Sequence, residues 1–129
     1  QIANDFNLDL ILLIAPTTPL ERMKMISSRT RGFTYLVSVT GVTGERNNLE
    51  NRVENLIGKL KEISSTPIAV GFGISTPEHI IKVRHWGADG VIIGSAFVKR
   101  ISESKYSQIV NELGEFCSEM RSAADKILD

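Results

Sequence analysis

The stretch PIAVGFGISTPE, residues 67–78, decides the fold. Its first four residues form a short apolar run of the kind found in a strand that is covered on both faces. A turn with two glycines follows over residues 71–75. Thr76 and the proline after it are typical of a helix start, because threonine caps the first N–H groups and proline fits the first helical position. We therefore predict a strand, a tight turn and a helix over residues 76–86, which ends at Gly87.

The rest of the chain repeats this plan on both sides, so that four strand–helix units of about 30 residues follow one another. This alternation predicts an α/β fold with a parallel sheet. Two closures fit it: an open, doubly wound sheet such as a flavodoxin-like domain, or a (β/α)8 barrel, of which four units are half. The other predicted strands are residues 8–15, 33–39 and 90–93, and the other predicted helices are 19–30, 49–63, 96–100 and about 103–128.

Several single residues carry structural expectations. Thr18 and Asn48 are the expected N-caps of the first two long helices. Tyr106 and Cys117 are expected on the buried apolar face of the last helix, which has helical spacing of its hydrophobic residues. Tyr35 lies in a predicted strand, so it faces either inward toward a ligand or outward beneath a helix.

Composition excludes several classes of protein. The 129 residues are 42% hydrophobic and 23% charged, with zero formal net charge and no basic stripe, so we expect no nucleic-acid partner. The longest apolar run, residues 10–15, is too short to cross a membrane. The single cysteine, Cys117, allows neither an internal disulfide nor a cysteine-rich zinc site.

Residues 1–6 read as the tail of a helix whose beginning is missing, which a processed, trimmed or partial chain would each explain.

Three glycine-containing segments follow three successive strands: GVTG at residues 41–44, GFGIS at 71–75 and GS at 94–95. In a parallel α/β fold all three lie at the carboxyl ends of strands, where ligands bind. Glycine lets backbone N–H groups approach an anion, and a helix that opens at Ser95 directs its positive end to the same place. The pattern therefore predicts a phosphate ligand. No GxGxxG or P-loop string is present.

Other chemistry-bearing residues give weaker signals. Phe72 stands between two glycines at a strand end, where it either lies against a planar ligand or caps the core. His79 and His85 are six residues apart on one helix and do not share a face, so a metal pair is not expected. Asp9 within a strand and Glu45 in a loop form no obvious acid/base pair.

Four segments, residues 10–19, 32–44, 69–78 and 86–96, resemble the tryptophan synthase alpha chain family. The resemblance covers essentially the whole chain and is closest to plant-type members, including stand-alone indole-3-glycerol phosphate lyases. It implies that residues 1–129 are the C-terminal half of a (β/α)8 TIM barrel, strands five to eight with their helices. It also implies a lyase that cleaves indole-3-glycerol phosphate to indole and glyceraldehyde 3-phosphate, in the biosynthesis of tryptophan or of other indole-derived metabolites.

The resemblance also assigns roles to single positions. It implies phosphate contacts at Gly44, Gly73, Gly94 and Ser95, an indole contact at Phe72, a pocket tyrosine at Tyr35 and a closing-loop threonine at Thr43. Val39 departs from the arginine of many bacterial members. The catalytic Glu and Asp of the family belong to its second strand and the loop after it, so no catalytic residue is expected in this chain.

The resemblance implies no cofactor for this chain and a pyridoxal-phosphate-dependent beta chain as partner, unless the parent is a stand-alone lyase. A plant-type parent implies the chloroplast stroma, and any other parent the cytoplasm. A half barrel exposes two sheet edges and one core face. We therefore expect this chain alone to be inactive and either poorly soluble or self-associating. The alternative is a non-catalytic, phosphate-binding half barrel that completes itself by self-association.

Overall fold

The computed structural model describes residues 2–37, 46–71 and 73–126 of the 129-residue chain. Helices and strands alternate along it, as the hydrophobic pattern predicts. The elements are α1 (Ile2–Asp5), β1 (Leu13–Ile14), α2 (Leu20–Arg29), β2 (Thr34–Val37), α3 (Arg46–Ile63), β3 (Ile68–Gly71), α4 (Pro77–His85), β4 (Gly90–Ile92), α5 (Ser95–Glu103) and α6 (Ile109–Asp125).

The four strands form one parallel sheet in the order β1-β2-β3-β4. Each strand pairs with its neighbour in sequence, and the order never reverses. A doubly wound sheet needs such a reversal, because its helices cover both faces. The sheet is therefore a run of consecutive barrel strands, and the α/β class and the partial barrel predicted from the sequence are confirmed.

The two faces of the sheet differ sharply in burial. Ile14, Leu36 and Val70 are neighbours across three strands and are each completely buried under the helices. The alternate residues Leu13 and Tyr35 point to the other face, where Leu13 is 59% exposed. In a barrel the first face packs against the ring of helices and the second lines the interior. We call the second face the inner face.

The core lies between the outer face of the sheet and the helices. Burial of each Val, Leu or Ile side chain contributes about 1.5–3 kcal/mol to folding. The ring of Phe116 in α6 meets that of Phe97 in α5 edge-on at 4.9 Å, and the guanidinium of Arg100 lies 3.9 Å above the Phe116 ring. The buried hydrophobic cluster comprises Ile14, Met23, Leu36, Val53, Leu56, Ile57, Leu60, Ile68, Val70, Ile74, Ile80, Val83, Ala88, Phe116, Met120 and Ala123.

Two polar side chains tie the amino ends of the strands together. The Thr30 hydroxyl accepts a hydrogen bond from the Leu12 N–H at 3.1 Å, and it lies within donating distance of two backbone carbonyls. The Asp89 carboxylate accepts a hydrogen bond from the Ile68 N–H at 2.9 Å, while the Asp89 N–H donates to the Ile68 carbonyl. These contacts fix where β1, β3 and β4 begin.

Helix ends test the capping predictions. The Thr76 hydroxyl accepts from the His79 N–H at the start of α4, and Gly87 follows that helix with φ +93°, so both predicted boundaries are confirmed. Thr18 is not the cap of α2: its hydroxyl accepts from the Ala15 N–H in the preceding turn, and Pro19 takes the cap position. Asn48 is not a cap either, because α3 already begins at Arg46.

The last two helices differ from their predicted extent and burial. α5 runs for nine residues rather than a single turn. Tyr106 lies in the connection between the helices and is 95% exposed, so its predicted burial was wrong. Cys117 is exposed as well, because Phe116 takes the inward position on α6.

Candidate functional site at the carboxyl ends of the strands

The glycine turns after β3 and β4 lie side by side. Gly71 is the register partner of Ile92, and both strands run in the same direction. Gly73 and Gly94 each follow these paired residues by two positions. Because the offset is equal, the two turns leave the sheet at the same level at its carboxyl end. This is the end of a parallel α/β sheet at which ligands bind.

The second of these turns opens directly into α5. Gly94 is the residue before the helix, and its carbonyl accepts from the Phe97 N–H at 3.0 Å and the Val98 N–H at 3.2 Å. The N–H groups of the first helical residues have no partner within a helix and carry its positive partial charge. Ser95, the first helical residue, is exposed and adds a hydroxyl donor. This arrangement suits an oxyanion such as a phosphate group.

The three glycines around this end differ in backbone conformation and in the space around them. Gly73 has φ +80°, a conformation that strongly favours glycine. A Cβ on Gly71 would lie 2.8 Å from Cζ of Tyr35 and 3.0 Å from Cβ of Ile92, which is too close. Gly94 has φ −120°, and a Cβ there would meet no atom within 4 Å. Its ψ of −73° lies outside both the helical and the extended regions, and the space in front of it is open in the described part of the chain.

Tyr35 points toward this end from the inner face. It is the register partner of Leu13 and Ala69, and the far end of its ring lies over Gly71, two residues further along β3. The structure thus places the side chain inward, in the direction that would meet a ligand, and not beneath a helix.

The start of α4 borders the same end of the sheet. Nδ1 of His79 lies 3.3 Å from the Ser75 N–H and accepts its hydrogen bond. A hydrogen bond from the Thr76 side chain is the largest of the effects that lower the pKa of Glu78 below its usual range. The His79 ring therefore accepts a hydrogen bond from the backbone just before its own helix. The lowered pKa favours the charged form of Glu78, which lies in the first turn of α4, where negative charge is stabilising.

Four of the seven residues predicted to bind substrate are described by the structure: Tyr35, Gly73, Gly94 and Ser95. All four are at or point toward the carboxyl end of the sheet. The remaining three, Thr43, Gly44 and Phe72, lie outside the described residues, and so does Glu45. Asp9 was predicted within a strand, but β1 begins only at Leu13; its carboxylate lies near Gly32, at the amino end of the sheet.

Sequence reasoning missed one residue of this region. The sequence predicts Gly71 as the first residue of a turn, but it is the last residue of β3, and its lack of a side chain gives room to the Tyr35 ring. A glycine in a strand often marks such a close approach. A glycine at this position in a strand could have indicated that another group packs closely against the strand, but not that this group is the Tyr35 ring.

The opposite end of the sheet holds a cleft of about 350 Å³ between the last turns of α2 and α3. It is separate from the glycine turns. Ser27 on its wall is buried, and its hydroxyl has no hydrogen-bond partner. The residues that line it are Lys24, Ser27, Ser28, Glu62, Ile63 and Ser64.

The described residues contain neither a metal-binding cluster nor a membrane-spanning helix. Within residues 2–37, 46–71 and 73–126, no three His, Cys, Asp or Glu side chains are grouped so as to hold a metal ion. No helix in that part of the chain is both long and apolar enough to cross a membrane.

Comparison with curated proteins gives relatives along nearly the whole chain. A tryptophan synthase alpha chain from Prochlorococcus marinus subsp. pastoris is 71% identical over 126 residues, which are 98% of this chain and 45% of that protein. One from Synechococcus sp. (strain CC9902) is 58% identical over 124 residues, 96% of this chain and 46% of the relative. The chain thus spans less than half the length of these relatives. Both come from cyanobacteria, so they lend no support to the chloroplast location.

Solved structures agree with the sequence relatives. The tryptophan synthase A-subunit from Pyrococcus furiosus superimposes with a TM-score of 0.78 at 37% identity, over 94% of this chain and 48% of that one. A protein from Aquifex aeolicus VF5 gives a TM-score of 0.79 at 30% identity, over 95% of this chain and 43% of its own. The sequence pattern of the family described as tryptophan synthase alpha chain matches residues 1–125. With nearly every residue matched, and with its strands and helices superimposed on solved members, this chain belongs to the tryptophan synthase alpha chain family.

Proposed function

We propose that the whole protein is a carbon–carbon lyase that cleaves indole-3-glycerol phosphate to indole and glyceraldehyde 3-phosphate. In this proposal residues 1–129 are strands five to eight of its barrel and hold the substrate. The observation that carries it is the open space in front of Gly94, at the start of α5 and beside the Gly73 turn. The first N–H groups of α5 and the Ser95 hydroxyl border that space, and such a helix start suits a phosphate group.

Each proposed contact has a physical role. The N–H groups at the start of α5 and the Ser95 hydroxyl donate to the phosphate oxygens, which fixes one end of the substrate. Tyr35 on the inner face and Phe72 supply aromatic surface for the indole ring, and Thr43 and Gly44 belong to the loop that closes over it. Anchoring at both ends holds the bond to be broken in one position.

Cleavage itself needs two proton transfers. The bond between C3 of the indole and the adjacent carbon of the glycerol chain breaks, C3 takes up a proton, and the hydroxyl on that carbon loses one to become the aldehyde. The proposal assigns these transfers to a Glu and an Asp in the part of the barrel that this chain does not contain. It therefore includes no catalytic residue and no cofactor here.

The proposal extends to partners and location. A solved Pyrococcus furiosus relative is a tryptophan synthase a2b2 complex, which supports a beta chain as partner of the whole protein. We expect neither nucleic acid nor a membrane as a partner. The cyanobacterial relatives favour the cytoplasm, and the chloroplast stroma applies only to a plant-type parent.

Phosphate binding is the direct test. Inorganic phosphate and glycerol 3-phosphate are titrated into the chain and followed by calorimetry or by ³¹P NMR. The Cβ of Gly94→Ala occupies the proposed phosphate space, and we expect it to weaken binding about tenfold or more, or about 1.4 kcal/mol. Ser95→Ala removes a hydroxyl donor to a charged group, and we expect a similar loss. Gly58→Ala is the matched control, because a Cβ at Gly58 in α3 also meets nothing within 4 Å.

Equal phosphate affinity in Gly94→Ala and Gly58→Ala chains would contradict the site. The activity is tested separately, by measuring indole release from indole-3-glycerol phosphate with the full-length protein and with this chain. We expect indole from the full-length protein only. A self-associated chain that binds phosphate, without lyase activity in the full-length protein, would instead support the alternative of a non-catalytic phosphate-binding half barrel.

A further inference from the structure

The cleft between the last turns of α2 and α3 has a volume of about 350 Å³, at the lower end of the range for small-molecule sites. We call it the α2–α3 cleft. Its walls belong to two consecutive helices that pack against each other, so its shape rests on contacts within this chain. Gly73, Gly94 and Ser95 are not among the residues that line it, and it is therefore separate from the proposed phosphate site.

Ser27 is the most buried polar residue that lines this cleft. It is 6% exposed, and its hydroxyl has no hydrogen-bond partner in the described part of the chain. A buried hydroxyl without a partner is unfavourable, because it has given up its hydrogen bonds to water and gained none. A serine hydroxyl has three staggered positions, so it can turn toward a polar group that enters the cleft. The structure thus holds an unused hydrogen-bonding group at the cleft wall.

Two opposite charges also line the cleft, one from each helix. Lys24 belongs to α2 and Glu62 to α3, and both residues are exposed. The Lys24 ammonium lies 2.9 Å from the Glu21 carboxylate, but an ion pair on the surface contributes little to stability and does not hold the ammonium in one place. Among the described residues no ion pair joins Lys24 to Glu62. An ammonium and a carboxylate are therefore both available to one ligand between the helices.

The other lining residues add one apolar contact and two hydroxyl groups. Ile63 is half-buried. The Ser28 hydroxyl donates to the Met25 carbonyl at 2.9 Å, and the Ser64 hydroxyl donates to the Thr66 hydroxyl at 2.9 Å. A hydroxyl oxygen has two lone pairs, so both oxygens can still accept a hydrogen bond from an ammonium group.

We propose that the α2–α3 cleft binds a small zwitterion, an α-amino acid with an apolar side chain. Lys24 binds its carboxylate, to which the Ser27 hydroxyl also donates. Glu62 binds its ammonium group, and Ile63 contacts its side chain. A phosphate group suits the cleft less well, because the Glu62 carboxylate repels it. A neutral polyol would use the hydroxyl groups but neither charge.

Binding is measured in the full-length protein by ¹H–¹⁵N NMR, with L-valine as the probe. Isovalerate lacks the ammonium group of valine and isobutylamine lacks its carboxylate, so these two are the matched comparison ligands. We expect valine to shift the amide signals of Ser27, Ser28 and Ser64. Each comparison ligand should bind about threefold more weakly or worse, because it leaves one exposed charge without a partner.

Three variants test the assigned contacts. Lys24→Gln and Glu62→Gln should each weaken valine binding about threefold, since these charges are exposed. Ser27→Ala should weaken it about tenfold, because a buried hydroxyl that donates to a charged group is lost. Without valine, Ser27→Ala should not lower the melting temperature, since its hydroxyl has no partner to lose. Ser118→Ala, at an exposed serine of α6, is the control and should leave valine binding unchanged.

Gly94→Ala separates this site from the phosphate site, because it should weaken phosphate binding and leave valine binding unchanged. Any of four results would overturn the site: no valine binding at millimolar concentrations, isovalerate binding as tight as that of valine, a loss of valine binding in Gly94→Ala, or valine binding in Ser27→Ala equal to that in Ser118→Ala. A lower melting temperature of Ser27→Ala without valine would show that the hydroxyl is already in use, and would overturn its assigned role.

Discussion

Thr30→Val tests how the amino ends of the strands are held. Thr30 is 8% exposed and follows α2. Its hydroxyl oxygen accepts from the Leu12 N–H at 3.1 Å, and its proton is donated to the Phe33 carbonyl at 3.0 Å or the Leu10 carbonyl at 3.3 Å. Valine has nearly the same shape as threonine but no hydrogen-bond donor or acceptor in its side chain. The substitution therefore separates the contribution of the hydrogen bonds from that of packing.

The size of the effect follows from these contacts. One proton serves one carbonyl at a time, so two hydrogen bonds are lost, each with a net contribution of about 1 kcal/mol. The Leu12 N–H is also left without its partner, and an unpaired donor in a part-buried position adds to the cost. We expect the free energy of unfolding to fall by about 2–3 kcal/mol. For a chain of this size that lowers the melting temperature by roughly 6–15 °C.

Urea denaturation followed by circular dichroism measures the change, with all variants compared at equal protein concentration. Thr30→Ser keeps the hydroxyl and should lose less than half as much. Thr17→Val, at an exposed threonine in the preceding loop, should have almost no effect. If Thr30→Val stays within about 0.5 kcal/mol of the wild type, the hydroxyl does not hold the strand starts together.

Three further predictions concern glycine and charge. Gly71→Ala should destabilise the fold by about 1–3 kcal/mol, because its Cβ meets the Tyr35 ring, and Tyr35→Ala in the same chain should remove much of that penalty in a double-mutant cycle by urea denaturation. Gly58→Ala should raise the free energy of unfolding by about 0.5–1 kcal/mol, since alanine is a better helix former and its Cβ meets no atom within 4 Å in α3. A lower free energy of unfolding would contradict the open space at this position. The lowered pKa of Glu78 stabilises the fold above the unfolded-state pKa, and this contribution is lost as pH falls through the folded-state pKa. Glu78→Gln should therefore reduce the melting temperature at pH 7, and the difference from the wild type should shrink as pH falls through the folded-state pKa, as melting curves over a pH series would show.

The fold was largely predictable because its signals are local. Strand and helix periodicity, the cap at Thr76 and the stop at Gly87 depend on nearby residues, and all are present in the structure. Predictions failed where a second group competed for the same hydrogen bond or the same buried position. Thr18 could cap α2, but its hydroxyl instead accepts from the Ala15 N–H. Cys117 has helical spacing for burial, yet the larger Phe116 beside it occupies the core.

The candidate site was predictable only in part, for a similar reason. The sequence by itself determined a parallel α/β chain with glycine turns at the carboxyl ends of its strands, because turn and cap chemistry is local. Only the tertiary structure decided which glycines have close neighbours, which face open space, and which way Tyr35 points. Strand register brings Gly71 beneath the Tyr35 ring and leaves Gly94 facing open space. Register is set by the packing of distant segments, and so no single stretch of sequence contains it.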